Sequence, residues 1–208
     1  MITIRRELGK DAAAREALLD LGYGAVRFSK VSHRLREGRL PAAGLAFVAC
    51  DHGRLIGTVR LWDVAAGDSR PALLLGPLTV HPNHRHRGVG SALIRHALAA
   101  AAKLGHRAVM LVGDAAYYER FGFTTEKTNS LWLPGRYDAH RFLALELSPG
   151  ALDGASGLVR ATGQRLPAQA RALRDKALHD KAWHDKALHD KALHDKPARR
   201  AQSLPQAA

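Results

Sequence analysis

Residues 73–96 read Leu-Leu-Leu-Gly-Pro-Leu-Thr-Val-His-Pro-Asn-His-Arg-His-Arg-Gly-Val-Gly-Ser-Ala-Leu-Ile-Arg-His: an apolar run, a basic glycine turn, then an amphipathic segment. The run Leu73 to Val80 is short and rich in branched residues, as in a buried strand, and Pro82 ends it. Gly76-Pro77 interrupts it. Proline has no N–H for a strand ladder, so a bulge or a splayed neighbour is expected there, leaving free backbone groups for a ligand. The turn Arg85-His86-Arg87-Gly88-Val89-Gly90-Ser91 leads directly into a helix predicted from Val89 to about Leu104. Unpaired N–H groups at a helix start, the positive end of its dipole and the charges of Arg85 and Arg87 together suit a pyrophosphate. A P-loop is excluded because no Lys-Ser or Lys-Thr follows the glycines, and a dinucleotide fingerprint because Leu93 stands where its third glycine belongs. The competing reading is an ordinary glycine turn ahead of a surface helix.

A second motif lies about thirty residues further on, after the predicted buried strand Arg107 to Val112: Gly113-Asp114-Ala115-Ala116-Tyr117-Tyr118-Glu119-Arg120-Phe121-Gly122-Phe123. Asp114 is placed to N-cap a short helix that Gly122 ends.

Arg-x-x-Gly-x-Gly behind a strand ending Leu-Thr-Val-His-Pro resembles the acyl-CoA-binding motif of the GNAT acetyltransferases, and Tyr-x-Arg-x-Gly-Phe resembles a later motif of that family. The full glycine-to-phenylalanine segment, with Phe142 to Leu147 and Pro149-Gly150-Ala151-Leu152, is similar to a branch of small bacterial N-acetyltransferases, over roughly residues 1–160. The resemblance implies an α/β fold: a mixed, mostly antiparallel twisted sheet with splayed central strands flanked by helices. It implies acetyl-CoA as acyl donor, bound by Leu78, Thr79, Val80, Arg85, His86, Arg87, Gly88, Val89, Gly90 and Ser91, with the pantetheine arm in the splay. It places Tyr118 near the thioester sulfur, where it would protonate the leaving thiolate. Tyr117 falls where the family has an apolar residue and is read as packing. Acetyl transfer to an amine needs a donor for the developing oxyanion, assigned to a backbone N–H around Leu78 to Val80. No general base declares itself; His81 and a water chain are both candidates. An Asn that often precedes the tyrosine motif is missing, with Leu111 or the Gly113-Asp114 pair in its place. The acceptor preference is expected in the first two helices.

Composition agrees with a globular protein: 46% apolar and 25% charged over 208 residues. The chain has no apolar stretch long enough to span a bilayer and no signal-like N-terminus, so a cytoplasmic location is expected. Cys50 is the single cysteine, which precludes an intramolecular disulfide and gives no metal site; it is read as a small core residue. The net charge of +13 divides into +8 for residues 1–150 and +5 for residues 151–208. It is spread without an aromatic-interleaved stripe or a nucleic-acid motif, so no specific nucleic acid is expected. Two other functions compete with acyl transfer by direct attack on the thioester: an acyl-CoA-binding or sensor protein without turnover, and a basic nucleic-acid-associated protein. The acceptor is an amine on a small molecule or a protein, and a homodimer stays open.

Ile2 to Glu7 is read as a first strand and Asp11 to Leu21 as a helix, with Asp11 as N-cap and Gly22 as stop. Ser29 to Glu37 is read as a second, basic helix ended by Gly38. Gly44 to Cys50 and Leu55 to Trp62 form a hairpin about His52-Gly53, followed by a polar loop from Ala65 to Arg70. In the long helix Leu93, Ile94, Ala97 and Leu98 face inward and Arg95 outward. Leu131 to Gly135 is read as a strand and turn, in which Trp132 either walls the acceptor pocket or packs half-buried. The acetyltransferase domain is expected to span residues 1–160. Residues 161–208 form a low-complexity tail in which Asp-Lys-Ala-Leu-His recurs from Asp175 through His194. A five-residue step turns about 140° on a helix, so Leu178, Trp183, Leu188 and Leu193 cannot make one apolar stripe.

Overall fold

The structure, a computed structural model, describes residues 1–68 and 70–169. The repeat from Asp175 to His194 lies outside the described residues. Met1–Arg165 forms one compact unit.

The chain begins with β1 (Ile2–Arg6) and α1 (Ala12–Tyr23), then a 3₁₀ turn at Ala25–Phe28 and the short α2 (Val31–Arg34). Next come β2 (Ala46–Asp51), β3 (Arg54–Ala66), β4 (Arg70–Leu75), β5 (Thr79–Val80) and α3 (Val89–Lys103). β6 (Ala108–Val112), α4 (Ala115–Tyr118), β7 (Leu131–Trp132), β8 (Phe142–Glu146), β9 (Gly157–Leu158) and β10 (Arg160–Ala161) complete it. The main sheet has the order β1-β2-β3-β4-β6-β8, antiparallel except for the β4–β6 pair. β7 and β9 make a separate parallel pair.

β3 is the spine of the sheet. One edge carries β2, which pairs residues 54–60, and then β10, which pairs Val64 and Ala65; the other carries β5 at Gly57–Thr58 and β4 at residues 61–66. β4 and β5 are thus one strand along β3 with a break between them. Leu75 faces Leu61 and Thr79 faces Thr58, so Gly76-Pro77-Leu78 opposes only Val59-Arg60, which is a bulge. The Gly76-Pro77 peptide is cis. β6 pairs with the β4 half, Leu73 with Val109 and Leu74 with Met110, and no strand among the described residues lies against the outer edge of β5.

Alternation along the strands builds two cores, as expected for a sheet covered on both faces. Val109 and Leu111 join Leu73, Leu75 and the inner face of α3 on one side, while Ala108 and Met110 join Trp62, Leu74 and Phe142 on the other. α3 buries Val89, Leu93, Ile94, Ala97 and Ala101, a helical spacing, with Leu98 at the margin and Arg95 exposed. Gly57 brings it close: a Cβ there would stand 2.9 Å from Leu93 Cδ1 and 3.3 Å from Val89 Cγ1. Cys50 is buried.

Several local expectations change. Gly22 does not stop α1, which runs to Tyr23 and ends at Gly24 with φ 61°. Gly22 lies inside the helix because a Cβ there would meet Thr79 Oγ1 at 2.3 Å, so its bare face is what seats α1 on β5. Asp11 precedes α1 without capping it by a side-chain bond; its carboxylate is held instead by Arg5 at 2.6 and 2.8 Å and by the Leu8 N–H at 2.8 Å. The basic helix expected from Ser29 shrinks to Val31–Arg34, continued by a turn to Gly38. β3 runs to Ala66 rather than Trp62, since β10 covers its far end. The chain also joins the unit beyond residue 160: the Leu40 N–H bonds the Gln164 carbonyl, and Arg165 bridges to Arg39.

Candidate active site

The break in the β4–β5 strand positions everything else. His81 N donates to Ile56 O at 2.7 Å, and Thr79 sits opposite Thr58, so these residues face β3. Strand alternation turns the N–H of Val80 the other way, toward the open side, and the Leu78 N–H, within the bulge, makes no backbone bond among the described residues. The carbonyls on that edge are engaged: Tyr23 Oη donates to Leu78 O, and Arg85 Nε to Val80 O at 3.4 Å. Two backbone donors are thus available at the break among the described residues.

The glycine turn follows a 3₁₀ turn at Pro82–His84. His86, at φ 60°, and Gly88, at φ 74°, take left-handed conformations on either side of Arg87. α3 then starts at Val89 with no side-chain cap on its first N–H groups. Arg85, His86, Arg87 and Gly88 are exposed, Gly90 and Ser91 partly so, and Val89 is buried, so Val89 can offer a ligand only its backbone. The Asp51 carboxylate lies nearby, 3.4 Å from both the N-terminal amine and His84 Nε2 and 4.0 Å from Arg87. An uncapped helix start flanked by two exposed arginines fits a pyrophosphate. Of the strand residues expected to bind the donor, Leu78 and Val80 keep free amides at the break, whereas the Thr79 side chain is buried against Gly22.

Tyr118 stands on the other wall of the slot. Asp114 occupies the N-cap position of α4 but makes no side-chain cap bond; its carbonyl accepts from the N–H groups of Tyr117 and Tyr118 at 3.1 Å. The Tyr118 ring packs against Gly113, where a Cβ would come within 2.3 Å of Cε2, and meets Tyr117 and Phe123 edge-on. Gly113 therefore provides the floor for this ring. Burial, with Tyr23 and Tyr117 alongside and Arg141 opposing, pushes the Tyr118 hydroxyl well above the ordinary phenol value. The hydroxyl is thereby held in its neutral form. The Tyr117 hydroxyl is directed elsewhere, 3.1 Å from where a Cβ on Gly90 would be, at the first turn of α3.

Tyr118 shares a cleft with Leu78, Tyr23, Lys30, Arg27 and Arg36. The last four come from α1 and the chain after it, and only long-range packing brings them here; sequence patterns point to this stretch without naming them. His81 is not in this cleft. Its Nδ1 accepts from Asn83 N at 3.3 Å, and its ring packs edge-on against His84. Trp132 is 52% exposed and outside the cleft, while its neighbours Leu131 and Leu133 pack with Val31 and Leu35.

An open, mostly antiparallel sheet whose one parallel pair splays beside a helix start defines the acetyltransferase class of α/β folds. A family model described as an acetyltransferase (GNAT) domain matches residues 42–125, the span from β2 to the end of the tyrosine motif. The uncharacterized N-acetyltransferase YhbS of Escherichia coli K12 is 33% identical over 160 residues, covering 75% of this chain and 93% of that protein. The crystal structure of Escherichia coli YhbS in complex with CoA matches with a TM-score of 0.67 at 32% identity, covering 77% of this chain and 89% of that one. A GNAT family acetyltransferase from Brucella melitensis in complex with acetyl-CoA matches with a TM-score of 0.57 at 27% identity, covering 78% and 96%. The chain belongs to the GNAT family of N-acetyltransferases.

Proposed function

We propose that the chain binds acetyl-CoA along the broken strand and transfers its acetyl group to an amine. The observation that carries this reading is the outer edge of β5, which has no partner strand among the described residues, beside an uncapped helix start. The Arg85–Ser91 turn holds the pyrophosphate, and the slot between β5 and β6 holds the pantetheine arm. A neutral amine attacks the thioester carbon; the N–C bond forms, the carbonyl oxygen takes charge, and a backbone N–H of Leu78 or Val80 stabilises it. The C–S bond then breaks, the sulfur takes a proton from the Tyr118 hydroxyl, and the amine nitrogen loses its own proton to water. The CoA and acetyl-CoA complexes of two relatives support this choice of donor.

The test is a thermal melt of the chain with and without acetyl-CoA, repeated on an Arg85→Glu/Gly88→Glu double variant. Ligand at about 100 times its dissociation constant adds roughly 2.7 kcal/mol. Wild type should show the corresponding rise in melting temperature and the double variant none. An equal rise in both would move the donor away from the glycine turn.

A further inference from the structure

Among the described residues, Arg36 is an arginine without a carboxylate. It is 9% exposed, and among the described residues its recorded bond is from Nε to the Ser32 carbonyl at 3.0 Å. Its Nη1 points at the bulge, 3.9 Å from where a Cβ on Gly76 would be, and its guanidinium lines the cleft that holds Tyr118. A buried guanidinium normally comes with a carboxylate, because an unpaired buried charge is costly. The neighbours supply the opposite. Lys30 lies 4.2 Å over the Tyr23 ring with no carboxylate partner among the described residues, and no acidic side chain lines the cleft. Arg27 is the contrast, since Glu16 at 2.6 Å and Asp20 at 3.0 Å neutralise it. Burial, reinforced by Arg27 and Arg60 and opposed by Tyr23, pushes Arg36 down to about 10, so it still carries its charge at neutral pH. Two uncompensated cations therefore converge on the cleft where the amine must arrive.

We infer that the acceptor amine carries an anionic oxyacid group, a carboxylate or a phosphate, which Arg36 and Lys30 hold while the amine faces the thioester. This rests on the proposed acetyl transfer and names its substrate class. A planar carboxylate or a phosphate face can take two N–H donors from one guanidinium. Polyamines and lysine side chains in basic peptides are disfavoured, because a second positive charge would be brought beside Arg36.

Product-like probes test the inference without knowledge of the natural acceptor. N-acetylglycine, N-acetylglycinamide and N-acetylaminomethylphosphonate are titrated against the CoA complex of the full chain, of Arg36→Gln and of Lys30→Met. One of the two anions should bind wild type about 10- to 100-fold more tightly than the neutral amide, and Arg36→Gln should erase that difference. The tighter anion distinguishes carboxylate from phosphate. Equal binding of acid and amide, binding of neither anion, or an undiminished preference in Arg36→Gln would overturn the inference. The wild-type comparison and Lys30→Met, which should narrow the preference, stand even if Arg36→Gln does not fold. A melting shift with acetyl-CoA, measured on the same samples, separates the two proposals: its absence in wild type defeats the transfer reading itself, whereas a shift without anion preference defeats only the acceptor class.

Discussion

Tyr118 shows how one side chain's chemistry is set by what lies beneath and around it. The bare α-carbon of Gly113 lets the ring come close, and burial beside Tyr117 and Phe123 holds the hydroxyl in its protonated form. An acid that stays protonated gives a distinct pH signature. A group with the ordinary phenol value of 10.0 would be half-ionised at that pH and its contribution half lost; Tyr118, raised above it, should keep the turnover number level through pH 10. Replacing Tyr118 by Phe removes the proton while keeping the ring, and kcat should fall about 100-fold across that whole range with little change in the melting shift from acetyl-CoA. An unchanged kcat in Tyr118→Phe would reduce this residue to an aromatic anchor. Arg36, in the same cleft, illustrates the converse: its charge survives burial, but no carboxylate among the described residues answers it.

Among the elements, the approach of α3 to β3 fixes where the glycine turn ends up. Gly57 allows that approach, and Val89, the first residue of α3, packs directly on it. Gly57→Ala would force Leu93 and Val89 outward, with an expected loss of about 1 to 3 kcal/mol in unfolding free energy. Because Val89 adjoins the turn, acetyl-CoA affinity should fall as well, measured by denaturant unfolding and ligand titration on one preparation. Stability and affinity both unchanged would show that the turn is independent of this contact. Elements like these are legible in sequence where a signal is local. Gly76-Pro77 announces the break because proline has no N–H to give, and Gly88 announces the start of α3 through a left-handed conformation. Where the cause is distant, the signal misleads. Gly22 resembles a helix stop, yet its role is set by Thr79 on β5. Trp62 resembles a strand end, yet β3 continues because β10, far along the chain, covers it. Tyr23, Lys30 and Arg36 have no spacing that sets them apart from the other residues of this stretch. They become a cleft only when α1 settles on β5.

At the scale of the whole molecule, the question is how much of the chain the proposed chemistry needs. Residues past 160 are tied to the sheet: Arg160 and Ala161 extend β3, Thr162 and Gly163 donate their N–H groups to the Asp63 carbonyl at 3.1 Å, and Arg39 donates to the Gly163 carbonyl. Asp63 and Arg39 lie next to Trp62 and close to Arg36 in the chain, and the Trp62 indole donates to the Gly76 carbonyl at the bulge itself. Loss of residues 157–165 would therefore loosen the strand whose break makes the slot. Every group proposed to hold donor or acceptor lies between Tyr23 and Tyr118. We propose that residues 1–169 form the complete acetyltransferase domain and that residues 170–208 are dispensable for it. A chain ending at residue 169 should keep the full-length melting shift with acetyl-CoA and its discrimination between anionic and neutral probes, whereas one ending at residue 156 should melt earlier and lose both. A loss of the shift in the 1–169 chain would instead make the repeat part of the donor site, and a stable, ligand-responsive 1–156 chain would show that the bulge holds without the strand beside it.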